Sequence, residues 1–157
     1  MKLQKNTSLA LYSVLESAAD PTRHVAAAEI AVKYGVSAHH LAKVLSELAR
    51  VGILDSARGV GGGYRFAANA RRLTLLDVIE RFEALGPHAG LPDVGERTAA
   101  GRALFTVLSE IDDIAKATFS SITIATMLRL MARQREKAVA GDAHAKAATG
   151  NAPAKTR

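Results

Sequence analysis

A glycine-rich segment in the middle of the chain limits what the surrounding residues can form. Residues 58–64 read Arg-Gly-Val-Gly-Gly-Gly-Tyr. The segment lacks the Gly-Lys-Ser/Thr ending of a Walker loop and the following helix of a dinucleotide fingerprint. Short strand patterns flank it at residues 55–57 and 64–66. Because glycine tolerates positive φ angles, the segment predicts a tight turn between two antiparallel strands, with Arg58 at its exposed base.

Two helix patterns precede this turn, from Val25 to Gly35 and from Ser37 to Val51. Gly35 is typical of a helix end, and Ser37 is typical of an N-cap. One face of the second helix is apolar, with Leu41, Val44, Leu45 and Leu48 at helical spacing. The opposite face carries His39, Lys43, Ser46 and Arg50. The pattern predicts a winged helix-turn-helix, whose second helix enters a DNA major groove. A solvated helix face and a solvated hairpin arginine are the alternatives.

The positive charge of the chain is concentrated in the same region. Residues 1–72 contain ten Lys/Arg and five Asp/Glu, residues 73–137 contain eight and nine, and residues 138–157 contain three and one. The net charges of +5, −1 and +2 sum to the total of +6. Residues 1–72, which contain the predicted helix-turn-helix and wing, are called the reading head. Their excess of cations favours a polyanionic partner such as double-stranded DNA.

Four more helices and a loop are predicted around this head. A first helix spans Ser8 to Ala19, and Thr74 caps a helix that Gly86-Pro87 ends. Residues 86–101 have a loop composition. A long helix follows from Arg102 to Phe119, and another runs from Ile124 to about Lys137. The predicted fold is mostly α with a small β-wing.

The predicted organisation has four parts. Residues 1–85 form the winged helix-turn-helix domain, 86–101 a loop, 102–137 a dimerisation helix with a following helix, and 138–157 a disordered tail. The long helix has apolar residues at Leu104, Leu108, Ile111, Ala115 and Phe119, further than a small core can cover. We expect it to pack against a second copy, and the resulting homodimer to bind a near-palindromic site.

Enzymatic and membrane roles are not favoured. The sequence has no cysteine nucleophile and no recognisable Ser-His-acid arrangement, and Asp112 and Asp113 are adjacent on a helix and point in different directions. No segment reaches the roughly 20 apolar residues of a spanning helix, and the N-terminus lacks a signal-peptide core. We expect a cytoplasmic protein.

A family resemblance covers about residues 1–130 and rests on a set of motifs. They are Val36-Ser37, Leu41, Leu48, Gly52-Ile53-Leu54, Arg58-Gly59, Gly62-Gly63-Tyr64 and Leu73-Thr74-Leu75-Leu76-Asp77-Val78-Ile79. These motifs resemble the IscR/NsrR type of winged helix-turn-helix transcriptional regulator. The resemblance implies a homodimeric DNA-binding protein, usually a repressor, with the wing arginine in the minor groove. It makes Arg58, with Gly59, the minor-groove candidate, and it makes Ser37, His39, His40 and Lys43 candidates for phosphate or base contacts.

The chain departs from this family in one respect. Many members hold an iron-sulfur cluster through three cysteines in the loop that corresponds to residues 86–101, and this chain has no cysteine. We therefore expect no cluster. His88, Asp93 and Glu96 are weak candidates for a divalent metal site in that loop. A metal-responsive regulator, a small-molecule-responsive regulator and a winged-helix interaction protein without sequence-specific DNA binding remain alternatives.

Overall fold

The computed structural model describes residues 3–59, 61–85 and 98–149. Within these residues the chain forms six helices and a two-stranded antiparallel sheet. The elements are α1 (Lys5–Ala19), α2 (Ala27–Tyr34), α3 (Ala38–Arg50), β1 (Leu54–Ala57), β2 (Gly63–Phe66), α4 (Leu75–Ile79), α5 (Ala99–Ser121) and α6 (Ile124–Thr149). The predicted mostly helical fold with a small β-wing is confirmed. The first helix begins at Lys5, within about one helical turn of the predicted Ser8.

The hydrophobic core is built from α1, α2, α3, the wing strands, α4 and the start of α6. The third helix contributes the four buried side chains that the sequence predicts, Leu41, Val44, Leu45 and Leu48. Burial of each such aliphatic side chain stabilises the fold by roughly 1.5–3 kcal/mol. This anchorage fixes which face of α3 is left for solvent or a ligand.

The turn between α2 and α3 has the predicted caps. Gly35 ends α2 in the left-handed conformation, with φ of 61°. The Ser37 hydroxyl accepts a hydrogen bond from the backbone N–H of His40, at 3.4 Å. The predicted start of α2 at Val25 is wrong, because Val25 pairs with Tyr64 of the wing through backbone bonds of 2.8 and 2.9 Å. The two strand-like bonds hold Val25 in extended conformation, and α2 begins at Ala27.

A polar cluster joins α1 to α2. The Glu16 carboxylate accepts hydrogen bonds from the Tyr34 hydroxyl and from Lys33 Nζ, both at 2.6 Å. The Tyr34 ring stacks on Tyr12 with 4.7 Å between ring centroids. Burial alone would raise the pKa of Glu16, but the bonds from Lys33 and Tyr34 and the charges of Lys33 and Arg135 lower it. The ionised carboxylate therefore fixes α2 on α1, and with it the turn that orients α3.

The fourth helix has the predicted start and a different end. The Thr74 hydroxyl accepts from the Asp77 N–H at 3.2 Å, and the Asp77 carboxylate accepts from the Thr74 N–H at 2.8 Å. This capping box is the arrangement that the sequence predicts. The predicted end at Gly86-Pro87 is wrong, because α4 ends at Ile79 and the chain continues in turns that pack Phe82 partly against the core.

Backbone hydrogen bonds attach the junction of α5 and α6 to the segment before α4. The N–H groups of Ile124 and Ala125 donate to the carbonyls of Leu73 and Ala70, both at 2.8 Å. In return, the Leu75 N–H donates to the Ile122 carbonyl at 2.9 Å. The Ile124 side chain is fully buried beside these bonds. The start of α6 is therefore part of the core that the N-terminal elements build.

The long helix α5 presents two different apolar faces. Leu108, Ala115 and Phe119 are partly buried. Leu104, Val107, Ile111 and Ile114 form a second row at three- and four-residue spacing, and they are 52%, 52%, 55% and 67% exposed. The apolar positions predicted for this helix are divided between the two faces, because Leu104 and Ile111 lie in the second row and Leu108, Ala115 and Phe119 on the inner face. We call Leu104, Val107, Ile111 and Ile114 the outer row.

The last helix is longer than predicted. Thr123 caps it through a hydrogen bond from the Thr126 N–H at 3.2 Å, and the helix continues to Thr149 instead of ending near Lys137. Residues 138–149, assigned to a disordered tail, are therefore helical, and residues 150–157 lie outside the described residues. Residues 138–149 are rich in alanine, which has the highest helix propensity, and this composition explains why the helix is longer than predicted. No helix among the residues described here has the length and apolar character to cross a membrane.

Candidate nucleic-acid interface

The outward face of α3 is polar and accessible. His39, Lys43, Ser46 and Arg50 are all exposed, opposite the four buried residues of the same helix. Lys43 has no ion pair or side-chain hydrogen bond with any described residue. Arg50 differs, because it forms a two-pronged pair with Glu47 at 2.6 and 2.9 Å. That hydrogen bonding lowers the pKa of Glu47. The free cation on this face is therefore Lys43.

Ser37 and His40 have additional roles at the start of α3. The Ser37 side chain is exposed, and its oxygen caps the helix while its own hydroxyl proton stays available to an acceptor. His40 is partly buried, and its Nε2 atom is enclosed without a partner among the described residues. This enclosure favours a packing role for His40 over a contact with DNA. Of the two histidines, His39 is the exposed one.

The glycine-rich segment forms the tip of a β-hairpin, as predicted. Strands β1 and β2 are paired residue by residue, from Leu54 opposite Phe66 to Ala57 opposite Gly63. The turn closes with a bond from the Gly62 N–H to the Gly59 carbonyl at 3.0 Å, and Gly59 and Gly61 have φ angles of 95° and 78°. These positive angles are the reason that the turn requires glycine.

Arg58 lies where β1 ends and the turn begins. Its side chain is exposed and forms no ion pair with any described residue. Arg65, on the neighbouring strand, is held instead by Asp55 at 3.1 Å. Of the two arginines of the wing, Arg65 is therefore ion-paired and Arg58 is not, and Arg58 lies beside the tip.

A second glycine requirement lies at the start of β2, next to the turn. A Cβ atom added to Gly63 would be 2.6 Å from the carbonyl oxygen of Val25, closer than side chains approach backbone. The same Val25 backbone makes both hydrogen bonds to Tyr64. Gly63 therefore permits the close contact that attaches the wing to the chain before α2. Sequence reasoning missed this contact, because Val25 continues the helical pattern of α2.

Ion pairing selects which cations of the head stay free. Among the described residues of the region 3–72, four cations are paired: Arg23, Lys33, Arg50 and Arg65, with Glu29, Glu16, Glu47 and Asp55. The remaining carboxylate, Asp20, accepts hydrogen bonds from Thr22. The net positive charge of the head therefore lies on unpaired residues that include Lys43 and Arg58. Their charge is available to a polyanion.

The residues of this chain do not fit an iron-sulfur cluster. Such clusters are held by cysteine thiolates, and the sequence contains none. The weak metal candidates His88, Asp93 and Glu96 lie outside the described residues. In the ranges 3–59, 61–85 and 98–149, no three His, Asp or Glu side chains converge in a metal-binding group.

The profile of the Rrf2 family, described as an iron-dependent transcriptional regulator, matches residues 3–130. The chain is 47% identical over 144 residues to BadM of Rhodopseudomonas palustris, named as an HTH-type transcriptional regulator, and the match covers 90% of each protein. It is 36% identical over 133 residues to protein aau3 of Rhizobium meliloti, with 74% of this chain and 86% of that protein covered.

Two solved structures have the same fold. CymR, the global cysteine regulator of B. subtilis, superposes with a TM-score of 0.67 at 25% identity, over 83% of this chain and 98% of CymR. IscR of T. potens superposes with a TM-score of 0.64 at 22% identity, over 82% and 87% of the two chains. With the winged helix-turn-helix geometry described above, these matches establish that the chain belongs to the Rrf2 family of transcriptional regulators and not to an enzyme family.

Proposed function

We propose that the protein is a homodimeric regulator that binds double-stranded DNA in a sequence-specific manner and represses transcription without an iron-sulfur cluster. The observation that carries this proposal is the distribution of free cations. Lys43 on α3 and Arg58 on the wing are exposed and unpaired, whereas four other cations of the head are paired with carboxylates. In a winged helix-turn-helix these two positions face the major groove and the adjacent backbone or minor groove.

Dimerisation is supported by the outer row of α5. Its four aliphatic side chains are each more than half exposed on one side of a helix, although aliphatic side chains are normally buried. Packing against the same row of a second copy would remove this surface from water. A two-fold interface of this kind is self-complementary and needs no other partner.

The dimer would present two reading heads to one DNA duplex. Such a pair reads a near-palindromic operator whose half-sites match the spacing of the two α3 helices. A dimer bound across a promoter would exclude polymerase, and we therefore propose repression as the sign of regulation. The DNA partner is also the basis for proposing a cytoplasmic location.

The proposal is tested by binding of the purified full chain to the DNA upstream of its own gene, in near-physiological salt and with scrambled DNA as competitor. We expect the upstream DNA to be bound about a thousandfold or more tightly than the scrambled sequence. Equal, salt-sensitive affinity for upstream and scrambled DNA, and for a panel of random duplexes, would favour the interaction-protein alternative.

Arg58→Ala is expected to weaken operator binding by roughly 1–3 kcal/mol, because the variant removes a guanidinium from the groove. Fluorescence anisotropy with a labelled operator measures this loss. Arg65→Ala is the matched control, since Arg65 lies on the same hairpin but is paired with Asp55. Equal losses for the two variants would contradict a specific role for Arg58.

Lys43→Ala is expected to change the salt dependence of binding, because a lysine on a phosphate releases counterions when the complex forms. The slope of log K against log salt is negative, and it should become less negative by about 0.9 for each phosphate contact that is lost. A dimer loses one such contact in each half-site. Titrations at four salt concentrations measure the slope. Lys137→Ala, at an exposed position of α6, should leave it unchanged. An unchanged slope for Lys43→Ala would remove the phosphate contact from the proposal.

A further inference from the structure

Two arginines from separate segments border one pocket. Arg71, in the segment between β2 and α4, and Arg129, on α6, line an open pocket of about 430 Å³ together with Thr123 and Ala125. Neither guanidinium forms an ion pair with any described residue. The Arg71 side chain has no hydrogen-bond partner among those residues, and Arg129 donates only to the Thr126 hydroxyl, at 3.2 Å. Two cationic residues thus line one pocket, and no carboxylate is among its lining residues.

The frame of this pocket is fixed by backbone hydrogen bonds. The Ala125 N–H donates to the Ala70 carbonyl at 2.8 Å, next to Arg71, and the Ile124 N–H donates to the Leu73 carbonyl at 2.8 Å. These bonds hold the two arginine-bearing segments together. The fold therefore brings the two arginine residues to one pocket.

The first backbone N–H groups of α6 are already used. Those of Ile124, Ala125 and Thr126 donate to Leu73, Ala70 and the Thr123 hydroxyl. A ligand in this pocket would be held by the two guanidiniums and not by the helix terminus. Guanidinium groups match the planar, bidentate geometry of carboxylate and phosphate oxygens.

We propose that this pocket binds a small molecule through an oxyanion, either a phosphate or a carboxylate, held between Arg71 and Arg129. Arg71 follows β2, which ends at Phe66, at the end of the hairpin opposite its turn. The pocket also adjoins the α5–α6 junction. A bound oxyanion would connect the base of the wing to the helix that follows the outer row, which is a suitable position for an effector.

The test uses the isotope-labelled full chain, titrated separately with inorganic phosphate and with sodium acetate at constant ionic strength. Backbone amide shifts should change around Ala70–Thr74 and Thr123–Arg129 with at least one probe, and the stronger probe indicates the class of oxyanion. The double variant Arg71→Ala/Arg129→Ala should bind that probe roughly tenfold or more weakly, as expected for two lost charge-assisted bonds. Arg72→Ala is the matched control, because Arg72 is the exposed neighbour of Arg71 and does not line the pocket.

Absence of localised shifts with both probes, or equal weakening in Arg72→Ala, would overturn the proposal. A third measurement separates an effector pocket from a contact with the DNA backbone. The double variant should retain the salt slope of the parent protein for operator DNA, and a smaller slope would assign the two arginines to DNA phosphates instead. This outcome is distinct from failure of the proposed operator binding, which is measured on the parent protein.

Discussion

Ile111→Asp is expected to convert the proposed dimer to a monomer and to abolish selective binding to the proposed operator. Ile111 lies within the outer row of α5 and is 55% exposed in the single chain. In a two-fold interface the substitution introduces two carboxylates into an apolar contact. A buried charge without a partner costs about 3–5 kcal/mol. The operator affinity should fall by about a hundredfold or more, because a monomer binds only one half-site whereas a dimer binds both.

Light scattering after size-exclusion chromatography measures the mass of the Ile111→Asp variant, and anisotropy measures its operator affinity. Thr106→Asp is the matched control, since Thr106 is an exposed residue of α5 outside the outer row. It introduces the same charge into the same helix and should remain dimeric. An Ile111→Asp protein with the mass of a dimer would show that the outer row is not the interface.

Gly63→Val is expected to destabilise the wing by separating it from Val25. A Cβ atom at this position meets the Val25 carbonyl oxygen at 2.6 Å, and the branched side chain adds further crowding. The contact can be relieved only by separating the wing from Val25, which breaks the bonds of 2.8 and 2.9 Å to Tyr64. We expect a loss of about 3 kcal/mol in the free energy of unfolding, and a decrease of roughly 6–12 °C in the unfolding midpoint.

Circular dichroism during heating measures the stability of Gly63→Val, and operator titration shows whether Arg58 is still positioned to bind. The control is Gly61→Asn in the same hairpin. Gly61 has φ of 78° and open space where a Cβ atom would be added, and asparagine tolerates this conformation better than other side chains. Equal stability of Gly63→Val and the parent protein would mean that the wing does not depend on the contact with Val25.

Local signals explain which parts of the fold could be predicted from the sequence. The caps at Gly35, Ser37 and Thr74 depend on residues within one helical turn. The buried face of α3 follows from the spacing of four aliphatic residues. These features were predicted correctly because neighbouring residues determine them.

The errors arose where distant segments decide the structure. Val25 has a helical sequence pattern, but Tyr64 offers it strand-like hydrogen bonds. Phe82 continues the pattern of α4, but the helix ends at Ile79 and Phe82 packs against the core from the turns that follow. Val107 and Ile114 are not among the apolar positions predicted for α5, although their spacing with Leu104 and Ile111 is visible in the sequence. One helix with two apolar faces gives overlapping periodicities, which a single stripe cannot separate.

The candidate site could be predicted only in part for the same reason. The exposure of Lys43 follows from the period of α3, whereas its freedom from ion pairs depends on where the acidic residues lie in the fold. The pairing of Arg65 with Asp55 required the strand register. Arg71 and Arg129 carry no motif that relates them, and only the folded chain brings them to one pocket.

The attachment of α6 to the segment before α4 has a consequence for the autonomy of the DNA-binding unit. Ile124 is fully buried in the core formed by the N-terminal elements, and its N–H bonds to Leu73. A fragment that ends at residue 85 would lack this side chain and leave a cavity in its place. The reading head is therefore not a module that could be cut out and grafted, because a segment from beyond the long helix completes it.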